Sequence, residues 1–318
     1  MKHSSFEPNW LRRIFTGFFA IAAFASLSAT AANAAEPEST DPITISQSPW
    51  TGNLITSDLA AKLLLKMGYN AKVVPIDGVA VFPAMDAGDI SFDVEIWEST
   101  SLQLVEASEK SGKSVKLGSL GFEGEDHWWY PEYVKEKCPG LPDYKALQKC
   151  VDLFKTPETG DKGQLLVYPV DWGTNDEPRV KTLGLDYQVV HAGSEAALLA
   201  QVKAAYQRKQ PILAWLYLPH WAPAVYKGEF VKLPPYTPEC YSSGTYGCEK
   251  PKAAITKMAW SGAKAKWPRA YKMIEAFQLP LADYQAMERD VDVDGKDPSA
   301  VVDAWMATHE AIWKPWIE

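Results

Sequence analysis

The sequence predicts an α/β fold built on a largely parallel sheet with helical crossovers. Two observations carry that expectation. Short runs with alternating or β-branched side chains are followed by stretches with helical apolar spacing that stop at glycine, and the order strand, helix, strand repeats along the chain. The 318 residues are 47% hydrophobic and 23% charged, a globular mixture long enough for two packed domains.

Taken in order, residues 43–48 alternate as a strand and turn at Pro49-Trp50-Thr51-Gly52. Leu54, Leu59, Leu63, Leu64 and Met67 share one helical face, and Gly68 ends that helix. A strand at 71–76, a short helix at 79–87 closed by Gly88, and a strand at 92–97 follow. The middle of the chain repeats this logic with a strand at 164–170, a helix at 194–208 and a buried strand at 212–218. Residues 233–251 are loop-rich, and helical segments at 267–277, 282–289 and 299–312 finish the chain. There is no internal repeat and no low-complexity segment.

Residues 1–34 stand apart and read as a secretory signal peptide. Lys2, Arg12 and Arg13 form a basic start, 14–29 is an apolar run too short to span a bilayer, and Ala32-Asn33-Ala34 fits a cleavage site. The expected protein is therefore exported, most simply to a periplasm. The full chain has a net charge of −8, near −10 without the net +2 of residues 1–34, and no clustered Lys and Arg, which argues against nucleic acid as a partner. The four cysteines agree with an oxidising compartment. Cys138 with Cys150, and Cys240 with Cys248, are expected to pair locally, since Pro139-Gly140 and Ser242-Ser243-Gly244 let each loop fold back. Zinc is the alternative, but the spacing is not C-x2-C and no His is near.

Tryptophan is the unusual residue, with 13 in the chain, roughly threefold average usage. In open α/β sheets ligands sit beyond the carboxyl ends of strands. Trp50, Trp97 and Trp172 all fall at such ends, as does Tyr217-Leu218-Pro219-His220-Trp221. Indole faces turned toward one point attract a cation that hydrogen-bonds poorly, above all a quaternary ammonium group. Sugar stacking and plain core packing are the competing readings of the same count.

Several motifs occur in an order that resembles a known family. They are Lys66-Met67-Gly68-Tyr69, Ala87-Gly88-Asp89-Ile90-Ser91-Phe92-Asp93 followed by Trp97, Pro211-Ile212 followed by Leu218-Pro219-His220-Trp221, and Phe277-Gln278-Leu279-Pro280-Leu281-Ala282-Asp283 with Val302-Asp303-Ala304-Trp305. From residue 41 onward the chain resembles the substrate-binding proteins of ABC transporters for glycine betaine, proline betaine and choline. The resemblance implies a two-lobe periplasmic binding protein of type II form, with a discontinuous first lobe (41–120 plus 253–318), a second lobe (121–252) and two crossover segments. It implies a monomer that clamps a small methylated onium solute between its lobes and delivers it to a membrane permease and its ATPase. It implies no enzymatic activity, no cofactor and no metal.

By position, Trp97 and Trp172 match cage tryptophans of that family, and Tyr217 stands where a third is usual. Trp50 matches a loop that contributes to the site in choline-type relatives, and His220 matches a histidine able to meet a ligand carboxylate. The backbone N–H groups of Thr51, Gly52 and Asn53, opening a helix, are a second set of donors for a ligand carboxylate. Trp97-Glu98-Ser99-Thr100-Ser101 lacks the histidine that some relatives carry there. Gly124-Glu125-Asp126-His127-Trp128-Trp129 places an acid, Glu125, and one of two aromatics, Trp128, at the floor of the cleft. An acid there favours a cation without a carboxylate, such as choline or trimethylamine N-oxide.

Trp221, Trp260, Trp267, Trp305, Trp313 and Trp316 have apolar helical neighbours and read as packing. Asp290-Val291-Asp292-Val293-Asp294-Gly295 begins like a calcium loop, but its twelfth position is Val301, so it reads as a polar turn. No hydrolase or nucleotide-binding motif occurs. A sugar-binding protein, and behind it a periplasmic hydrolase, are the alternatives.

Overall fold

Ile43 and Ile45 lie fully buried on the first strand, β1 (Ile43–Gln47), and Leu59, Leu63 and Leu64 meet them from the first helix, α1 (Thr51–Lys66). This is the computed structural model of the chain; it describes residues 36–318, so the signal segment 1–34 lies outside the described residues. The chain continues through β2 (Ala71–Pro75), α2 (Val81–Ala87), β3 (Phe92–Trp97), α3 (Glu98–Ser111) and the long β4 (Ser114–Pro131). Then come β5 (Gly163–Val167), α4 (Asp176–Thr182), β6 (Tyr187–His191), α5 (Glu195–Gln207), β7 (Ala214–Leu218), α6 (Ala222–Val225), β8 (Gly228–Phe230) and α7 (Pro238–Ser242). The strand β9 (Ala253–Trp260) leads into α8 (Ala263–Lys266), α9 (Pro268–Ala276), α10 (Leu281–Asp292), α11 (Pro298–Thr308) and α12 (Glu310–Ile317).

The strands form one sheet in the order β2-β1-β3-β9-β4-β7-β5-β6, with β8 paired to β4. Each end is parallel as expected: β1 pairs with β2 and β3, and β5 with β6 and β7. The middle differs from the expectation. β9 runs antiparallel to both β3 and β4, and β4 antiparallel to β7. β4 and β9 were not legible as strands because their pairing shifts register between Lys116 and Ser119 and again before Glu123, which breaks the period-2 pattern.

The apolar side chains gather mainly in two clusters, one at each end of the sheet. One draws on 43–120 and 255–317 and holds Trp267, Trp305 and Trp313. The other draws on 128–231 and holds Trp128, Trp129, Trp215 and Trp221. Trp260 and Trp316 pack on the first cluster, as expected of packing tryptophans. The disulfides Cys138–Cys150 and Cys240–Cys248 form as the local pairing predicts. Closing the short 240–248 loop restricts the unfolded chain, so replacing both of those cysteines by alanine lowers stability by about 2 kcal/mol, measurable by urea unfolding.

Candidate functional site

The two ends of the sheet face each other across a cavity of about 620 Å³, mouth included. Its wall is aromatic. Trp50, Trp172, Trp215, Tyr217 and Trp97 follow one another with ring centroids 5.0, 6.2, 5.0 and 4.9 Å apart, mostly edge to face. Tyr168 lies parallel to Trp172 at 6.4 Å. The gap between the first and last ring is bridged by one carboxylate: Trp50 and Trp97 both donate their indole N–H to Glu95 Oε1, at 2.7 and 3.1 Å. Thr56 donates to Glu95 Oε2 at 2.8 Å and Tyr284 to Oε1 at 3.2 Å, so four donors fix Glu95 in place.

Local structure explains the convergence. Trp50 is the residue before α1, in extended conformation, and Trp97 ends β3 immediately before α3. On β3 the alternating positions Asp93, Glu95 and Trp97 share a face, and all three line the cavity. On β7 the same period brings Trp215 beside Tyr217. The sequence reading missed Tyr168, Trp215, Asp93, Glu95 and Asp126. The signal for some of them was present, since Glu95 and Trp215 lie two residues from the expected Trp97 and Tyr217, and Asp93 continues the same strand face one period further.

Of the residues expected at the site, Trp50, Trp97, Trp172 and Tyr217 line the cavity. Trp128, Glu125 and His220 do not. Trp128 is buried in the second core and donates to Asp176 at 2.9 Å. Glu125 turns outward to Lys252, at 3.0 Å, and His127, at 3.2 Å. Those partners outweigh burial and lower its pKa. The acid on the cavity side is its neighbour Asp126, because successive strand residues point to opposite faces. His220 is buried against Tyr217, with its Nδ1 accepting from the Ala222 N–H and its Nε2 3.7 Å from Asp292. The helix N-terminus at Thr51 is also occupied: its N–H donates to Glu195 at 2.9 Å.

The electrostatics of the cavity are one-sided. Asp93, Glu95 and Asp126 line it, and among the described residues no Lys, Arg or His does. Burial raises Glu95 to about 7 against its four hydrogen bonds, and raises Asp93 to about 6. Behind the aromatic wall, the buried Lys250 ammonium stands 4.5 Å over the Tyr168 ring and 5.6 Å over Trp215. Burial lowers its pKa. Asp176, which burial alone would raise, is held down at about 2 by Lys250 and by Arg179, whose Nη1 lies 2.5 Å away.

Gly78 lines the mouth with a positive φ of 47°, and a Cβ there would fall 1.8 Å from the Asp171 carbonyl oxygen opposite. Only glycine allows this approach. Gly78→Ala therefore props the cavity open, weakens ligand binding about tenfold and lowers stability by about 1 kcal/mol through the strained backbone; calorimetry and urea unfolding read the two effects separately.

Of the expected polar turn at 290–295, residues 290–292 prove to be the end of α10 and only the residues from Val293 on form the turn. Asp290 and Asp294 pair with Lys296, and Asp292 accepts from Thr51 and Trp221. Trp221 thus packs in the second core and also reaches across to Asp292. Among the described residues no group of three or more His, Cys, Asp or Glu is placed to hold a metal, and no helix is long and apolar enough to cross a membrane.

Comparison with known proteins adds a family. Residues 41–308 match the model described as the substrate binding domain of ABC-type glycine betaine transport systems. A trimethylamine N-oxide-binding protein of Pelagibacter ubique is 30% identical over 307 residues, covering 93% of this chain and 95% of the relative. Two solved structures share the fold with a TM-score of 0.73. One is a glycine betaine/L-proline-binding protein from Borrelia burgdorferi, 19% identical, covering 87% of this chain and 97% of that one. The other is an ABC-transporter choline-binding protein in complex with choline, 18% identical, covering 88% and 93%.

Proposed function

Because the chain belongs to the family of substrate-binding domains of ABC-type glycine betaine transport systems, we propose that its own ligand is a small methylated onium compound without a carboxylate, of which choline and trimethylamine N-oxide are the simplest. The family is one of transport binding proteins rather than enzymes. One observation carries the choice of ligand: among the described residues the aromatic cavity is lined by three carboxyl side chains and by no cationic one. Each desolvated aromatic face contributes on the order of 0.5–2 kcal/mol toward a methylated cation. Buried carboxylates add attraction for the positive charge and repulsion for a ligand carboxylate. The relative named for trimethylamine N-oxide supports the same class.

The lobes in this reading are 41–120 plus 253–318 and 121–252, a division supported by the two core clusters. Trp97, on the first lobe, touches Tyr217, on the second, so closure around the ligand completes the cage and desolvates it. The closed monomer works in the periplasm, after removal of the signal peptide, and presents the ligand to a permease driven by an ATPase.

Calorimetry with choline, trimethylamine N-oxide, glycine betaine and a sugar panel tests the reading. The expected result is at least tenfold tighter binding of a carboxylate-free onium than of glycine betaine, with no response to sugars. A preference for glycine betaine, or binding of sugars alone, refutes it.

A further inference from the structure

We propose that Glu195 is a specificity-determining residue: the protein places its own carboxylate at the helix N-terminus that would otherwise receive the carboxylate of a ligand. The inference rests on the onium reading above and adds the device that excludes betaine-like solutes.

The first turn of α1 contains no acidic residue, and the preceding Trp50 gives it no side-chain cap. A 16-residue helix with its first N–H groups uncapped and its dipole positive at that end is an anion site in waiting. Glu195 fills it from the other lobe. Its Oε2 accepts the Thr51 N–H at 2.9 Å, and its Oε1 accepts the Tyr217 hydroxyl. Glu195 is itself the first residue of α5, and the Ser194 side chain before it accepts the Ala197 N–H. It is 5% exposed and stands directly behind a cage wall, Tyr217, and beside the residue that follows another, Trp50.

The consequence for ligand choice is chemical. A ligand whose carboxylate sought the α1 N-terminus would find the Thr51 N–H taken and the carboxyl group of Glu195 already in its place. A ligand with only an onium head meets none of this, because the link between the lobes is already supplied by the protein.

Calorimetry on the full mature chain reads the ratio of glycine betaine to choline affinity in wild type, Glu195→Ala and Glu195→Gln. Glu195→Ala vacates the site and raises the ratio at least tenfold toward betaine. Glu195→Gln keeps the bulk and removes the charge, and raises it at least threefold; it also serves if the alanine variant does not fold. Circular dichroism establishes which variants are folded. An equal loss for both ligands, leaving the ratio unchanged in the folded variants, would show that Glu195 is merely structural and overturns the proposal. Wild-type protein that binds neither compound overturns the onium reading itself, and this inference with it.

Discussion

Trp97→Ala and Trp172→Ala each weaken onium binding by about 30- to 100-fold, roughly 2–3 kcal/mol. Each change removes one π face from the cage and the apolar contact that keeps it dry. Trp172 is the joint of the wall, in contact with Trp50, Trp215 and Tyr168. Trp97 is the first lobe's contact with Tyr217 and one of the two indoles held by Glu95. Trp313→Ala is the control. Trp313 is buried in the first core, is not among the residues that line the cavity, and donates its N–H to the Met306 carbonyl. Its loss costs about 3–5 kcal/mol of stability and leaves the affinity of the folded protein unchanged. Calorimetry at a temperature where all variants are folded separates the two outcomes. Equal affinity losses in all three would mean a general stability effect.

Glu95→Ala lowers onium affinity more than a hundredfold, about 3 kcal/mol. It removes the counter-charge and releases Trp50, Trp97, Thr56 and Tyr284 together. Glu95→Gln keeps most of the shape and loses about tenfold. A pH dependence follows from the same residue. Its folded pKa is raised from 4.5 to about 7 by burial, so between those values the folded protein holds a proton that the unfolded chain has released. Stability of the free protein therefore falls as pH rises across that window. A permanent cation such as choline favours ionised Glu95 and expels the proton. Choline affinity accordingly rises with pH up to about 7 and levels off above it, with Asp93, raised to about 6, contributing at the lower end. Calorimetry in buffers of different ionisation enthalpy detects the released proton, and a flat profile from pH 5 to 8 in wild type would remove Glu95 as the counter-ion.

Much of the fold could be read from local pattern. The strands at both ends of the sheet and most of the helices announce themselves by alternation, helical spacing and terminal glycines, as β1, α1 and β3 illustrate. β4 and β9 do not, because strands that cross between two lobes bend through bulges and lose the alternation that marks a strand. The site divides the same way. Trp50, Trp97, Trp172 and Tyr217 were visible by their place at strand ends. Glu125 was chosen where Asp126 faces the cavity, since one residue decides the face of a strand and no local signal gave the register of β4 with β7.

The sequence by itself determined the alternating α/β plan, the local disulfide pairs and the positions from which four aromatic side chains line the cavity. These follow from periodicity, loop length and the placement of strand ends, all properties of neighbouring residues. Only the tertiary structure decided which charges accompany the rings. Glu95 beneath two indoles, Lys250 behind Tyr168 and Glu195 at the start of α1 come from segments up to 144 residues from their partners. Their chemistry is set by burial, which shifts a carboxyl toward neutrality, and by the partners that folding places within hydrogen-bond reach.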